Sequence, residues 1–124
     1  MDLSLQQLKI KDKITQVAKA LGVDPSWAVA IAFVESSLGL QQKSATGAKG
    51  VFQLTSIAMK DLLQEMEKSD DDIIDITCGL AFLHLLFKRH KTIEEATGHF
   101  CDPADRPFYI DKVFNYMKVL DDSV

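Results

Sequence analysis

Glu35 is the residue whose type and placement point most directly to chemistry. It closes the longest apolar run of the chain, Trp27 to Val34. On a helix turning roughly 100° per residue it falls between Trp27, Ala28, Ile31 and Leu38, on the apolar side. A carboxylate there loses hydration, which penalises its charged form and raises its pKa. A raised pKa is what a general acid working near neutral pH requires. The bland alternative is a glutamate at a helix end that bends out to water, since the edges of apolar stripes often hold polar residues. The residues after Glu35 favour the first reading. Ser36 and Ser37 supply hydroxyls, the chain enters a polar stretch containing glycines, and Gln53 comes shortly after. A buried acid beside irregular backbone is the anatomy of a cleft. No acid lies between Glu35 and Asp61, and Asp24 upstream has the place of a helix cap. One carboxylate therefore fits better than the usual glycosidase pair, although folding can bring a distant aspartate close.

The elements that must position this acid are helical nearly throughout. Leu3, Ile10, Ile14, Val17, Ala18 and Leu21 follow helical spacing, which predicts a helix over 3–21 ended by Gly22. Asp24-Pro25 restarts the chain as N-cap and first helical residue, and the second helix runs to about Leu38, before Gly39. Residues 40–54 show no period and are expected to be a loop. A structureless stretch that long inside a small domain is usually functional. Thr55 or Ser56 caps a third helix carrying Ala58, Met59, Leu62, Leu63 and Met66. The run Asp70-Asp71-Asp72 opens a fourth, with Ile73, Ile76, Leu80, Leu83 and Phe87 inward and Lys88 to Lys91 at its end, as the helix dipole prefers. Calcium is the rival reading of that aspartate run, but the glycine and closing glutamate of an EF-hand loop are missing. Thr92-Ile93-Glu94-Glu95 is a capping box for a short fifth helix. Pro103 and Pro107 bracket a second irregular segment, and a last helix over 108–120 buries Tyr109, Val113, Tyr116 and Leu120. No segment reads as a strand, though the long loop has room for a short hairpin. The expected fold is all-α, in one domain spanning 1–124.

Bulk properties narrow the function classes. At 47% hydrophobic and 26% charged the chain has enough apolar material for a real core. A formal net charge of −4 argues against a nucleic-acid partner, which wants a basic patch. Cys78 and Cys101 are too few for a disulfide framework or a structural zinc site; buried thiols or a single disulfide are the two readings. No metal or cofactor site is expected. The amino-terminal residues lack the basic start and apolar stretch of a secretory signal, and Trp27 to Val34 is too short to span a bilayer.

Several segments, taken in order, resemble the soluble lytic transglycosylase family, with its lysozyme-like fold. Ala20-Leu21-Gly22-Val23-Asp24-Pro25 is similar to that family's lead-in to the catalytic helix. Ala32-Phe33-Val34-Glu35-Ser36-Ser37 is similar to its Glu-Ser motif. Ser44-Ala45-Thr46-Gly47-Ala48-Lys49-Gly50-Val51-Phe52-Gln53 resembles its Ser-x-x-Gly-Ala-x-Gly-Leu-Met-Gln stretch. Asp75 to Leu83 resembles the Asn-Ile-x-x-Gly helix, and Tyr109 to Tyr116 the terminal Tyr-Val-x-Lys-Val-x-x-x-Tyr pattern. The likeness covers roughly residues 14–120. Its most specific part is Glu-Ser followed by Gly-Ala-x-Gly-x-x-Gln.

The resemblance implies a mechanism and a partner, the glycan strands of peptidoglycan. Glu35 would protonate the glycosidic oxygen between N-acetylmuramic acid and N-acetylglucosamine, then act as base on the muramoyl C6 hydroxyl, giving a 1,6-anhydro sugar. Ser44 would bond the substrate, Gln53 would sit near the reacting sugar, and Phe52 would line the cleft wall. The same resemblance implies action at the cell wall, whether periplasmic, extracellular or virion-associated. One departure stands out. The family's Ala-Tyr-Asn-x-Gly, whose tyrosine bonds the catalytic acid, is replaced by Ala96-Thr97-Gly98-His99-Phe100. His99, Tyr109 and Tyr116 are the candidates for that donor, against the plain reading of His99 as an exposed residue at a helix end. The rival functions are hydrolysis as in goose-type lysozymes, a non-catalytic glycan-binding module, and a generic helical interaction domain.

Overall fold

Apolar periodicity near 3.6 residues and well-formed caps account for the helices that are seen. A computed structural model of the chain describes residues 2–39, 51–52, 72–100 and 103–121. Among these residues there are five α-helices, one 3₁₀ turn and no strand. Helix α1 is Leu5–Leu21 and α2 is Pro25–Ser36. Helix α3 is Asp72–His90, α4 is Ile93–Phe100, and α5 is Arg106–Asp121 after a 3₁₀ turn at Pro103–Asp105. The expected third helix after Thr55 lies outside the described residues, as do Asp70, Asp71 and most of the 40–54 loop.

Helix α1 begins two residues later than its apolar spacing suggests, because Ser4 caps it. The Ser4 hydroxyl accepts from Gln7 N–H at 3.2 Å, and Gln7 Oε1 accepts from Ser4 N–H at 2.9 Å. Gly22, at φ 72°, closes the helix in the left-handed region that an L side chain resists. Asp24 then caps α2 by accepting from Ser26 N–H at 2.9 Å and Trp27 N–H at 3.3 Å, with Pro25 at the first position. Helix α2 ends at Ser36, short of Leu38, in a left-handed turn. Thr92 caps α4 by accepting from Glu95 N–H at 3.1 Å. Helix α5 starts at Arg106, which places Pro107 in its first turn, where a missing N–H costs nothing.

Helix α2 is the centre of the core. Residues Trp27 to Ala32 are all buried, so the helix is enclosed on every side rather than along one stripe. It packs on α1 and α5, while α3 packs on α1 and α4, and α4 on α5. Ile10, Ile14 and Ala18 of α1 meet Ile76, Leu80, Leu83 and Leu86 of α3 and Val113 and Leu120 of α5 in one cluster. Phe87, expected in that row, is 43% exposed, and Leu86 takes the inward place. Cys78 is half-buried against the core, and Cys101 lies outside the described residues. The indole N–H of Trp27 donates to Thr97 Oγ1 at 2.8 Å, and that hydroxyl donates to Ile93 O at 2.7 Å, so α2 and α4 are joined by a satisfied buried polar pair. No helix among the described residues is long and apolar enough to cross a membrane.

Candidate active site

Glu35 sits in the last turn of α2, one residue before Ser36 closes the helix. Three consecutive residues then take positive φ: Ser37 at 50°, Leu38 at 55° and Gly39 at 88°. For the two non-glycine residues this geometry costs about 1–2 kcal/mol each and persists only where the surroundings enforce it. Ser36 is part of that enforcement. Its buried hydroxyl accepts from Gly39 N–H at 3.0 Å and lies 2.5 Å from Val51 O and 3.1 Å from Ala32 O. The serine of the Glu-Ser pair therefore ties the end of the acid's helix to the segment carrying Val51 and Phe52.

The Glu35 carboxylate is half-buried, and the Tyr109 hydroxyl donates to its Oε1 at 2.8 Å. Burial pushes the Glu35 pKa above the ordinary carboxylate value; the Tyr109 bond and the positive charge of Lys112 pull the other way and are smaller. Tyr109 is itself held. Its ring stacks on Phe100 at 6.4 Å with planes 15° apart, and Phe100 meets Phe82 at 5.7 Å. The start of α5 is fixed by Arg106, whose Nε donates to Gly98 O at 2.8 Å. Gly98 leaves room for that arm, since a Cβ there would stand 3.1 Å from Arg106 Cδ. The arrangement is a desolvated carboxylic acid with a phenol holding it in orientation.

Of the three candidate donors, the geometry brings Tyr109 to Glu35 and leaves the other two elsewhere. His99 is exposed and lies flat against His90, ring centroids 3.8 Å apart and planes 3° from parallel. Loss of hydration in that stack, then the charges of His90 and Arg106, push its pKa below the usual value, against a smaller pull from Glu95. The ring is otherwise open to water, so screening keeps this effect modest. Tyr116 packs on Phe33 with ring centroids 4.7 Å apart and planes tilted by 45°, and is half-buried. Phe52, expected on a cleft wall, is fully buried. Gly79 of α3 provides its seat: a Cβ there would come within 2.3 Å of Phe52 Cδ2. Ser44 and Gln53 lie outside the described residues. Lys112 was not singled out in the sequence, although it stands three positions after Tyr109 and so on the same helix face.

A cavity of about 210 Å³ opens at the other end of α2, lined by Val23, Asp24, Trp27, His84, Phe87 and Ile93 among others. It offers no free acid, because the Asp24 carboxylate already accepts two backbone N–H groups.

Among known protein families, the model described as Transglycosylase SLT domain matches residues 12–98, more than half of the chain. This chain belongs to the transglycosylase SLT domain family. No curated protein and no solved structure gives a significant match. Membership agrees with the all-α, lysozyme-like architecture and implies lytic-transglycosylase family activity on peptidoglycan, at the cell wall. Within this SLT domain the matched stretch contains Glu35 and ends at Gly98, ahead of Tyr109.

Proposed function

We propose that this SLT domain cleaves the β-1,4 bond between N-acetylmuramic acid and N-acetylglucosamine with Glu35 as its single acid/base residue. The observation that carries the reading is the half-buried Glu35 carboxyl with its raised pKa, held by the Tyr109 hydroxyl at 2.8 Å. A raised pKa keeps the proton on Glu35 to higher pH than an ordinary carboxylate would, for delivery to the glycosidic oxygen. As the bond breaks, the substrate's N-acetyl group stabilises the positive charge at C1. Glu35, now a carboxylate, takes the proton of the muramoyl C6 hydroxyl as that oxygen closes on C1. The product is a 1,6-anhydro-muramoyl end, and no water is consumed. The Tyr109 bond and Lys112 favour the carboxylate form, so they support the half of the cycle in which Glu35 is the base. Ser44 and Gln53 are assigned to the substrate on the strength of the family pattern.

The test is digestion of purified sacculi by the wild type beside Glu35→Gln, with mass analysis of the products. Release of muropeptides lighter by one water, lost in Glu35→Gln, is the expected result. Products of full mass would make the protein a hydrolase. Equal release by both proteins, or none by either, would remove Glu35 from the role given to it.

A further inference from the structure

Gln7 is a buried amide far from Glu35 in sequence, and its two side-chain bonds join the two helix ends that matter most to that acid. Its Oε1 accepts from Ser4 N–H at 2.9 Å, completing the cap of α1. Its Nε2 donates to Ser37 O at 3.0 Å, 30 positions away. It is only 8% exposed, so little of its side chain is open to bulk water. Ser37 is the first of the three successive residues in the left-handed region, two positions after the acid. That turn is pinned from one side by the Ser36 hydroxyl on Gly39 N–H and Val51 O. It is pinned from the other side by Gln7. Helix α1 therefore braces the strained end of α2, and Gln7 lies ahead of the stretch that the family model matches.

We infer that Gln7 is a positioning residue for Glu35, acting through the Ser37 carbonyl; the inference rests on the acid/base reading of Glu35. Without the Nε2 donor, the Ser37 carbonyl loses its partner on α1, and the hydrogen bond that holds Ser37 against relaxation toward ordinary φ is gone. Relaxation there unwinds the last turn of α2, which carries Glu35, and takes its carboxyl off the Tyr109 hydroxyl.

The experiment tracks the carboxyl-carbon NMR titration of Glu35 together with kcat and KM on glycan substrate. Two variants separate bracing from capping. Gln7→Met keeps the size and loses the donor, while Ser4→Ala loses the other half of the α1 cap and keeps the donor. In Gln7→Met the Glu35 titration moves down toward the ordinary carboxylate range, because burial is the largest cause of its rise and a freed carboxyl turns to water. Its kcat falls about tenfold with KM within twofold, as for a misplaced reacting group. Ser4→Ala lowers Tm and leaves the Glu35 titration and kcat at wild-type values. If Gln7→Met does not fold, Gln7→Glu keeps the acceptor for Ser4 and, once ionised, has no proton for Ser37 O. Its Glu35 carboxyl signal then departs from wild type at neutral pH and returns as the new side chain is protonated. A Glu35 titration unchanged in the Gln7 variant that folds, or moved as far by Ser4→Ala, overturns the inference. Because the titration needs no turnover, an inactive wild type would refute the acid/base role and leave this result readable.

Discussion

The Tyr109 hydroxyl reaches Glu35 Oε1 across 2.8 Å from a helix 74 positions further along the chain. It does so in a sequence that lacks the tyrosine expected beside Ala96. The phenol arrives instead from α5, in the turn that Arg106 anchors to Gly98. A hydrogen bond from a neutral phenol favours the charged form of the acid while fixing its direction.

Removing that hydroxyl separates the two effects. In Tyr109→Phe the carboxylate loses a donor, so the Glu35 pKa rises further. A general acid is lost as pH climbs through its pKa, so the alkaline limb of the kcat/KM profile moves to higher pH. Misorientation lowers kcat about 10- to 100-fold. A pH–rate profile of the two proteins checks both, and an alkaline limb that moved to lower pH would contradict the assigned cause.

Glu35→Gln should be a more stable protein than the wild type at neutral pH. The folded-state pKa of Glu35 lies above its unfolded value, so the folded protein holds a proton that the unfolded chain gives up first. Stability contributed by this group is present below the unfolded pKa and declines as pH rises through the folded one. A neutral amide removes that decline. Urea denaturation at several pH values measures it: the gain of the variant grows from acid to neutral pH, and a constant gap would count against burial as the source of the shift.

Gly79→Ala tests the seat of Phe52. The added Cβ meets three ring-side carbons at 2.3 to 2.9 Å, so the ring or the helix must move. Overpacking of this kind costs about 1–3 kcal/mol, read as a lower denaturation midpoint. Thr97→Val makes a different demand, since it leaves the Trp27 indole N–H buried without its acceptor, at about 1–3 kcal/mol. Denaturation of each variant, with unchanged m-values, gives both numbers.

His99→Ala should leave turnover within about twofold of wild type, since the ring faces His90 and not the acid. Its own titration is the informative measurement. In the wild type the imidazole titrates below its usual value, and His90→Ala brings it back up by removing both the covering ring and its charge. Proton NMR of the imidazole signals tracks this directly, and a His99 that does not respond to His90→Ala would remove the stack as its cause.

Much of this protein is legible from residue spacing alone. The Asp24-Pro25 start of α2, the Gly22 stop before it, the Thr92 cap and the half-buried place of Glu35 all arise from local signals, because caps and apolar faces depend on neighbours within one or two turns. The order of the helices and the Glu-Ser motif also suffice to indicate the family. What spacing could not choose was which of His99, Tyr109 and Tyr116 meets the acid. That depends on how α4 and α5 cross α2 and on the rotamers allowed there, which are long-range packing properties. The same limit explains Phe52, which sits in a polar stretch of sequence yet is buried because a glycine on α3 makes room for it. Gln7 is the third case. Nothing in its local sequence marks it, and only the approach of the α2 terminus gives its amide the Ser37 carbonyl to hold.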